Sequence, residues 1–361
     1  MDAAISQEEL QLAARNHGLP LEALRYPITP AGLHYLLIHY DIPDVDADRW
    51  ALSVDGRVAK PLTLTLADLC NRPSHEVTAT MECAGNGRAL LAPHVVSQPW
   101  LLEAVGNANW TGVSLRLILE EAELLDDAME VVFTGLDRGF EKGVEQTYQR
   151  SLELDVALAD DVLLAYEMNG AALLPQHGFP LRLVVPGWYG MTNVKWLAGI
   201  TVVAEPFRGY QHTAAYRYRD DEEDEGTPVT RMQPRALMVP PGIPDFNTRE
   251  RTVPPGPCVL EGRAWSGWAP VARVEVSTDG GKTWADGLLE PLDSRWGWRG
   301  WRYEWTADDP GEYVLSCRAH DEAGNVQPQE ATWNVGGYSN NAPQRVLVTV
   351  QEPGYHQGAP E

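Results

Sequence analysis

An acidic break in the middle of the chain constrains the fold more than any other feature. Residues 220–225 are six consecutive acids, and a proline-punctuated stretch with little periodicity follows as far as Pro257. A segment of this kind has no apolar face to bury, which predicts a solvated linker. The chain has 361 residues, more than the roughly 100–200 residues of one ordinary domain. We therefore expect one domain on each side of the break.

The part before the break mixes helical and strand patterns. Residues 1–34 have the pattern of an acidic amphipathic helix followed by turns, and residues 62–70 that of a strand followed by a helix. That helix ends in Cys70, which we expect to pack in the core, and Asp55-Gly56 predicts a hairpin turn. Further strand patterns lie at 77–81, 131–134 and 181–185, and helical periodicity at 115–125 and 154–158. Together these patterns predict an α+β domain.

The part after the break alternates apolar and polar residues more regularly. Residues 271–277 and 312–320 alternate with period two, and Asp279-Gly280-Gly281 and Gly324-Asn325 supply tight turns. Several such strands within ~120 residues predict an all-β sandwich of the immunoglobulin type.

Charge and cysteine content exclude several classes of protein. The net charge of −23 at pH 7 repels phosphate backbones, which argues against a nucleic-acid partner. Four cysteines without a CxxC spacing form neither a zinc framework nor a covalent haem site. Cys258 and Cys317 fall on inward faces of their strands, where two free thiols are favoured over a disulfide bridge.

The sequence also gives no sign of a membrane protein. No apolar stretch reaches the ~18 residues of a membrane span, and the N-terminus lacks the pattern of a secretory signal. We expect a cytoplasmic protein, with the periplasm left open as an alternative.

Cys83 is the cysteine whose surroundings indicate chemistry. It follows a strand pattern and opens the glycine-rich turn Gly85-Asn86-Gly87, with Arg88 five residues further on. Turn amides and a guanidinium lower the pKa of a thiol, and the thiolate is the form that attacks substrates or binds metals. The turn is only part of a dinucleotide-binding fingerprint, because position 90 is Leu and no βαβ pattern follows.

Three interpretations of this motif stay open on the residues alone. Cys83 is a nucleophile with a histidine base, for which His75, His94 and His177 are available. Alternatively, it is a thiolate ligand of a metal centre carried by an organic cofactor. The third interpretation is a buried thiol in a tight turn, without a chemical role.

The motif and the segments after it resemble a known family. Residues 80–88 (TMECAGNGR) resemble the molybdenum-ligating loop of the sulfite oxidase family of molybdopterin enzymes. The later segments that resemble its cofactor-binding domain are 163–170, 177–182, 185–187 and 194–197. Those that resemble its immunoglobulin-like dimerisation domain are 264–267, 274–284 and 318–325. The resemblance covers nearly all of residues 30–350.

The resemblance implies the domain organisation and the cofactor site. The expected segments are an N-terminal helical extension at 1–34, a molybdopterin-binding α+β domain at 35–208, an acidic linker and crossover at 209–255, and an immunoglobulin-like dimerisation domain at 256–361. Cys83 would be the sole protein ligand of molybdenum, and a soft donor suits that metal. The residues on cofactor-binding positions are Tyr35, His39, Asp137, His177, Arg182, Asn193, Val194 and Lys195. Cations and amides at fixed positions are what a buried phosphate requires.

The resemblance also implies a substrate site. Arg88 and Trp100 match residues that line the family's substrate pocket, and Tyr216 or Tyr210 corresponds to an active-site tyrosine. The family's substrate arginine, just upstream of the histidine, is Leu37 here. This departure removes one guanidinium, worth about 1.5–3 kcal/mol as a charged hydrogen bond to an oxyanion.

The implied reaction is oxygen-atom transfer, with oxidation of sulfite to sulfate as the first choice. Because the chain carries no haem motif, electrons would pass to a separate acceptor, and the acidic surface favours a basic cytochrome c. Reduction of nitrate or another oxyanion by the same cofactor is the alternative that Leu37 keeps open. A binding or adhesion protein without metal is the alternative from a different class.

Overall fold

The chain folds as two compact units whose boundary falls inside the expected linker. The computed structural model describes residues 5–141 and 143–352. Unit 1 takes the chain up to Leu19, Ile28–Met232 and Thr332–Asn340; unit 2 takes Pro20–Pro27, Gln233–Ala331 and the chain from Asn341. Residues 209–255 are therefore not one separate linker, because the segment before Gln233 folds with unit 1 and the segment after it with unit 2. No local sequence pattern marks the two short exchanged segments.

Unit 1 is the mixed α and β unit. Its helices are α1 Gln7–Arg15, α2 Leu66–Cys70, α3 Leu115–Ala122, α4 Leu154–Ala157 and α5 Tyr210–Thr213. Its strands are β1 Ala51–Gly56, β2 Leu62–Thr65, β3 Ser74–Glu82, β4 Val105–Ser114, β5 Glu130–Glu141, β6 Val144–Glu153, β7 Leu163–Met168, β8 Ala171–Ala172, β9 Arg182–Val184, β10 Leu197–Val203, β11 Arg217–Tyr218 and β12 Thr227–Pro228. The α+β prediction is confirmed.

Two larger sheets organise unit 1. One has the order β2-β1-β10-β5-β6, and the other the order β3-β4-β7-β8 with β9 also paired to β7. Their buried apolar side chains belong to one core cluster, which includes Leu52 of β1, Phe133 of β5 and Leu164 of β7. Candidate site residues lie in or next to these sheets: Cys83 directly follows β3, Asp137 lies in β5, and Arg182 begins β9.

Unit 2 is an all-β sandwich, as its alternating pattern predicts. Its strands are β13 Arg235–Met238, β14 Ile243–Pro244, β15 Arg251–Val253, β16 Gly256–Trp265, β17 Val271–Ser277, β18 Ala285–Asp286, β19 Leu288–Leu289, β20 Arg299–Ala307, β21 Gly311–Asp321 and β22 Val346–Val350. They form two sheets, β13-β16-β20-β19 and β14-β15-β22-β21-β17-β18. One core contains side chains of both sheets, among them Leu260, Trp301 and Leu315.

Several local expectations are corrected by the structure. Cys70 is exposed rather than packed in the core, because in a helix of five residues the neighbouring Leu69 takes the buried side. Asp55-Gly56 is not a tight turn, since Gly56 still pairs with Val202 of β10. Cys317 is buried and free, whereas Cys258 is free but only half-buried.

The N-terminal helix begins where the sequence supplies a cap. Ser6 Oγ accepts a hydrogen bond from Glu9 N, and Glu9 Oε2 accepts one from Ser6 N, which is a capping box. Within the described part of the chain, no helix has the length and apolar content needed to cross a membrane.

Candidate active site

The Cys83 loop is held in place by backbone and amide hydrogen bonds. Cys83 directly follows β3, and its N–H donates to Ala104 O at 2.9 Å. The side chain of Asn86 donates to Glu82 Oε1 at 3.0 Å and accepts from Ala104 N at 3.1 Å. Gly87 has φ +90, a left-handed conformation that favours glycine. The loop therefore presents the thiol at a fixed position.

The thiol is buried, and burial dominates its acidity. Cys83 is only 7% exposed, and desolvation raises the pKa of its thiol. The guanidinium of Arg88, the N–H of Gly85 and the indole of Trp100 act in the opposite direction and favour the thiolate. The expectation that turn amides and Arg88 lower the pKa is therefore overruled by burial. Binding to a cation would restore the thiolate form.

Arg88 supports the loop from within unit 1. Its Nε donates to Gly336 O at 2.9 Å and its Nη1 to Gln98 O at 3.3 Å. Its guanidinium carbon lies 5.3 Å from the centre of the Tyr338 ring. A Cβ on Gly85 would lie 2.6 Å from Arg88 Nη1, so only glycine lets the guanidinium pack this closely.

A cavity opens beside Cys83. The residues predicted to bind cofactor or substrate that line it are Tyr35, His39, Cys83, Asp137, His177, Arg182, Asn193, Lys195 and Tyr216. Arg88 and Trp100 are buried outside this lining, and Val194 is fully buried in the apolar core. Arg88 and Trp100 nevertheless act on the thiol of Cys83, which does line the cavity.

The cavity contains two cations, Arg182, which is buried, and Lys195, which is half-buried; among the described residues neither has a carboxylate hydrogen-bond partner. Asp137, which also lines the cavity, acts on the charge of Lys195. Arg182 donates to His177 O at 3.1 Å and to Asn193 O at 3.3 Å, and Lys195 Nζ donates to Leu37 O at 2.9 Å and to Gln176 O at 3.2 Å. Desolvation lowers the pKa of Lys195 to about 7 and that of Arg182 to about 10. Buried charges are normally paired, so this part of the cavity favours an anion.

Three buried histidines in the lining are held neutral. Desolvation lowers the pKa of His34 and of His39 to about 3 and that of His177 to about 4. His177 also feels the positive charge of Arg182. Neutral imidazoles beside buried cations offer hydrogen bonds without adding to the charge repulsion.

These histidines predict how the stability of the cofactor-free protein depends on pH. Unfolded histidines take up protons at the ordinary pKa of 6.5, whereas these do so only at about 3 to 4. The stability from keeping them neutral is present above pH 6.5 and lost as the pH falls toward 4. Burial raises the pKa of Asp137 to about 6, so this carboxyl group stabilises the folded protein as the pH falls. Its effect is opposite to that of the histidines, but it is one group and they are three. Urea unfolding at pH 7, 6 and 5 should show a decrease on the order of a few kcal/mol.

A variant of His34 tests whether the decrease in the free energy of unfolding comes from the cavity histidines. His34→Phe keeps a ring in place and should reduce the slope of the unfolding free energy against pH, while the exposed His75→Gln leaves it unchanged. Equal slopes in wild type and His34→Phe would contradict the assignment.

Some residues of the site are not predicted by any sequence motif. His34 lines the cavity with its Nε2 unpartnered, and its position directly before Tyr35 was the available signal. Tyr148 also lines the cavity, and its hydroxyl donates to Met191 O at 2.6 Å. Tyr338 stacks on Tyr216 with the ring centres 5.2 Å apart, and nothing in the local sequence relates these two.

Comparisons with protein families identify both halves of the chain. Residues 39–211 match the family described as oxidoreductase molybdopterin binding domain. Residues 247–351 match the family described as Mo-co oxidoreductase dimerisation domain. The fold and the cavity thus define a molybdopterin-dependent oxidoreductase.

Similar proteins narrow this class. The chain is 37% identical to sulfite oxidase of Gallus gallus over 336 residues, which cover 87% of this chain and 72% of that protein. Similarity to nitrate reductase [NADH] 1 of Phaseolus vulgaris is 32% identity over 359 residues, covering 90% of this chain and 40% of that protein. The chain belongs to the sulfite oxidase family of molybdopterin oxidoreductases. It spans 62% of the mitochondrial sulfite oxidase of Homo sapiens, less than two thirds of that relative.

A solved structure shares the fold of the whole chain. The sulfane dehydrogenase SoxCD from Paracoccus pantotrophus has a TM-score of 0.79 and 27% sequence identity, covering 93% of this chain and 86% of that chain. The similarity in fold therefore extends over most of both units.

The residues of the cavity fit a molybdopterin cofactor. Polar atoms that are buried without a hydrogen-bond partner include His34 Nε2, Asp137 Oδ1 and Arg182 Nε, and all three residues line this cavity. Buried polar atoms are nearly always partnered, so three orphans around one cavity indicate a polar ligand. Cys83, the cysteine that lines this cavity, is a donor suited to a soft metal.

Proposed function

We propose that the protein oxidises sulfite to sulfate by oxygen-atom transfer and passes the electrons to a separate acceptor. The observation that carries the proposal is one cavity lined by a buried thiol, Cys83, and by two cations, Arg182 and Lys195, whose hydrogen bonds in the described part of the chain go to uncharged acceptors. The thiolate would hold the metal of the cofactor, and the cations would hold its phosphate. When bound, the cofactor supplies a two-electron redox centre for the transfer.

The side chains around Cys83 would receive the substrate. His39 Nε2 lies 2.6 Å from Tyr216 Oη, so one of the two groups donates to the other and the pair is fixed in place. Desolvation raises the pKa of Tyr216 well above its ordinary value, so its hydroxyl stays protonated and serves as a hydrogen-bond donor. Arg88 contributes positive charge near Cys83 while its guanidinium is tied to two carbonyl groups.

Sulfite is favoured over nitrate by the similarity to sulfite oxidases and to a sulfane dehydrogenase. Leu37 keeps a nitrate or S-oxide reductase as the second candidate, because the family's substrate arginine is missing there. Elemental analysis of the purified protein, followed by steady-state assays with sulfite and with nitrate, tests the proposal. Stoichiometric molybdenum with sulfite turnover supports it. A molybdenum-loaded protein that reduces nitrate and does not oxidise sulfite would show that the reductase is the correct function. A protein without molybdenum would favour the non-enzymatic binding protein.

We further propose a basic cytochrome c as the electron acceptor. The net charge of −23 attracts a cationic partner over long range, and salt screens this attraction. Sulfite-dependent reduction of a basic cytochrome c should therefore slow by roughly tenfold between 10 and 200 mM salt. Turnover with ferricyanide, an anionic acceptor, is the control and should not slow in parallel. A cytochrome rate independent of salt would contradict electrostatic steering.

The second unit is proposed to mediate a homodimer, in keeping with its match to a dimerisation domain. Sedimentation of the purified protein at several concentrations measures the assembly directly. A monomer at micromolar concentration would contradict this part of the proposal. We propose the cytoplasm as the location, which fractionation of the source cells tests.

A further inference from the structure

A second buried guanidinium lies beside Tyr216, one of the residues that line the cavity. Arg150 projects from β6 and is 2% exposed. Its Nη1 donates to Gln211 O, and its Nε is buried without a partner among the described residues. The groups that favour its charge are three phenols, those of Tyr148, Tyr216 and Tyr338, and the imidazole of His212 feels its charge. Within the described part of the chain, Arg150 is therefore a buried cation with no carboxylate among these electrostatic neighbours.

A charge of this kind needs an explanation. Burying a guanidinium without a carboxylate partner costs stability unless an anion compensates it. Desolvation lowers the pKa of Arg150, in agreement with the missing counter-charge. Packing alone does not require a guanidinium at this position, because an apolar side chain on β6 would fill the space without that cost.

Arg150 contacts a residue of the cavity lining, Tyr216. The guanidinium carbon lies 5.6 Å from the centre of the Tyr216 ring, and Tyr216 lines the cavity together with Cys83. A cation over a phenol ring withdraws electron density and makes the hydroxyl a stronger hydrogen-bond donor. Tyr216 itself is fixed by its bond to His39 and has φ +51, a strained backbone for a non-glycine residue.

We propose that Arg150 supplies, from β6, the positive charge that Leu37 does not supply, and that it positions an oxyanion substrate through Tyr216. The proposal rests on the proposed function, because it assigns the charge for the same substrate site. Arg150 is a positioning residue in this scheme. Oxyanions bind more tightly because Tyr216 donates a stronger hydrogen bond and because the buried guanidinium attracts their charge.

The test compares variants of the molybdenum-loaded enzyme. Arg150→Gln keeps a donor for Gln211 O and removes the charge, so the KM for sulfite should rise by roughly 10- to 100-fold with a much smaller change in kcat. Arg150→Lys restores the charge and should recover part of the affinity. Adding Leu37→Arg to Arg150→Gln places a guanidinium where the family has one and should also lower the KM. The control is Arg116→Gln. Arg116 donates to Leu158 O and pairs with the exposed Asp160, and it does not line the cavity, so the KM should stay unchanged.

A second readout separates this proposal from the proposed function. The dissociation constant of sulfate for the loaded protein, measured by calorimetry, should rise in Arg150→Gln by the same factor as the KM. Wild-type protein that binds sulfate but does not oxidise sulfite would overturn the proposed function. In that case the sulfate dissociation constants of wild type and Arg150→Gln would still decide whether Arg150 binds an oxyanion through Tyr216. A loaded Arg150→Gln variant that binds sulfate and sulfite as wild type does would overturn the role of Arg150. Should that variant fail to load, unchanged sulfate affinity in a loaded Arg150→Met protein overturns it, and weakened affinity supports it.

Discussion

Replacement of Cys83 by serine is expected to lower sulfite turnover by at least about 10³-fold, which corresponds to roughly 4 kcal/mol of transition-state stabilisation. Serine is nearly the same size and leaves the backbone bond from residue 83 to Ala104 O in place. The hydroxyl is a harder donor that stays protonated, and it does not replace a thiolate on a soft metal. The effect should therefore be on the metal and not on the fold.

The matched control is Cys70→Ser, which changes an exposed thiol in the same unit. Molybdenum content, thiolate-to-metal absorption and sulfite turnover should all remain at wild-type values in Cys70→Ser, and the absorption and turnover should be lost in Cys83→Ser. Thermal unfolding of both variants checks that the fold is intact. Full activity in Cys83→Ser would remove the thiol from the metal site.

The fold was largely predictable because its determinants are local. Alternation with period two predicted the strands of unit 2, and its core is built from the inward positions of those strands, such as Leu315 and Cys317. The strand before Cys83 was likewise visible in the sequence, although it runs over the longer range Ser74–Glu82. The exchanged segments Pro20–Pro27 and Thr332–Asn340 were not predictable, because their placement depends on tertiary packing alone.

The candidate site was predictable where a motif carries its chemistry. Cys83, His177 and Arg182 lie in motifs with matching spacing, and all three line the cavity. Arg88 shows the limit of this reasoning: its position in the motif predicts a substrate contact, but does not predict the hydrogen bonds of its guanidinium to the carbonyl groups of Gly336 and Gln98. Residue 336 is remote in sequence, so no local pattern could reveal that the guanidinium is already engaged.

Replacement of Lys195 by methionine is expected to lower the affinity for the cofactor by roughly 10- to 100-fold. Its ammonium group lies in the cavity, half-buried, and donates to the carbonyl groups of Leu37 and Gln176. Asp137 acts on its charge, and an anionic phosphate would add a second counter-charge. Bound molybdenum and pterin, measured after gel filtration, should fall together in Lys195→Met. Lys195→Arg keeps the charge and should retain more of both. Lys60→Met is the control, because Lys60 is exposed and paired with Glu123.

The same lysine has an independent signature in the cofactor-free protein. Desolvation lowers its pKa from 10.5 to about 7, so between these values the unfolded chain binds a proton that the folded protein does not. The free energy of unfolding must then rise with pH across this window, by an amount on the order of a few kcal/mol. Lys195→Met should lack this rise, and Lys60→Met should keep it. If Lys195→Met retains both the rise and a full complement of cofactor, the ammonium is neither desolvated nor opposite the phosphate. Cofactor loss without a change in the pH dependence would place the lysine at the phosphate but in contact with water.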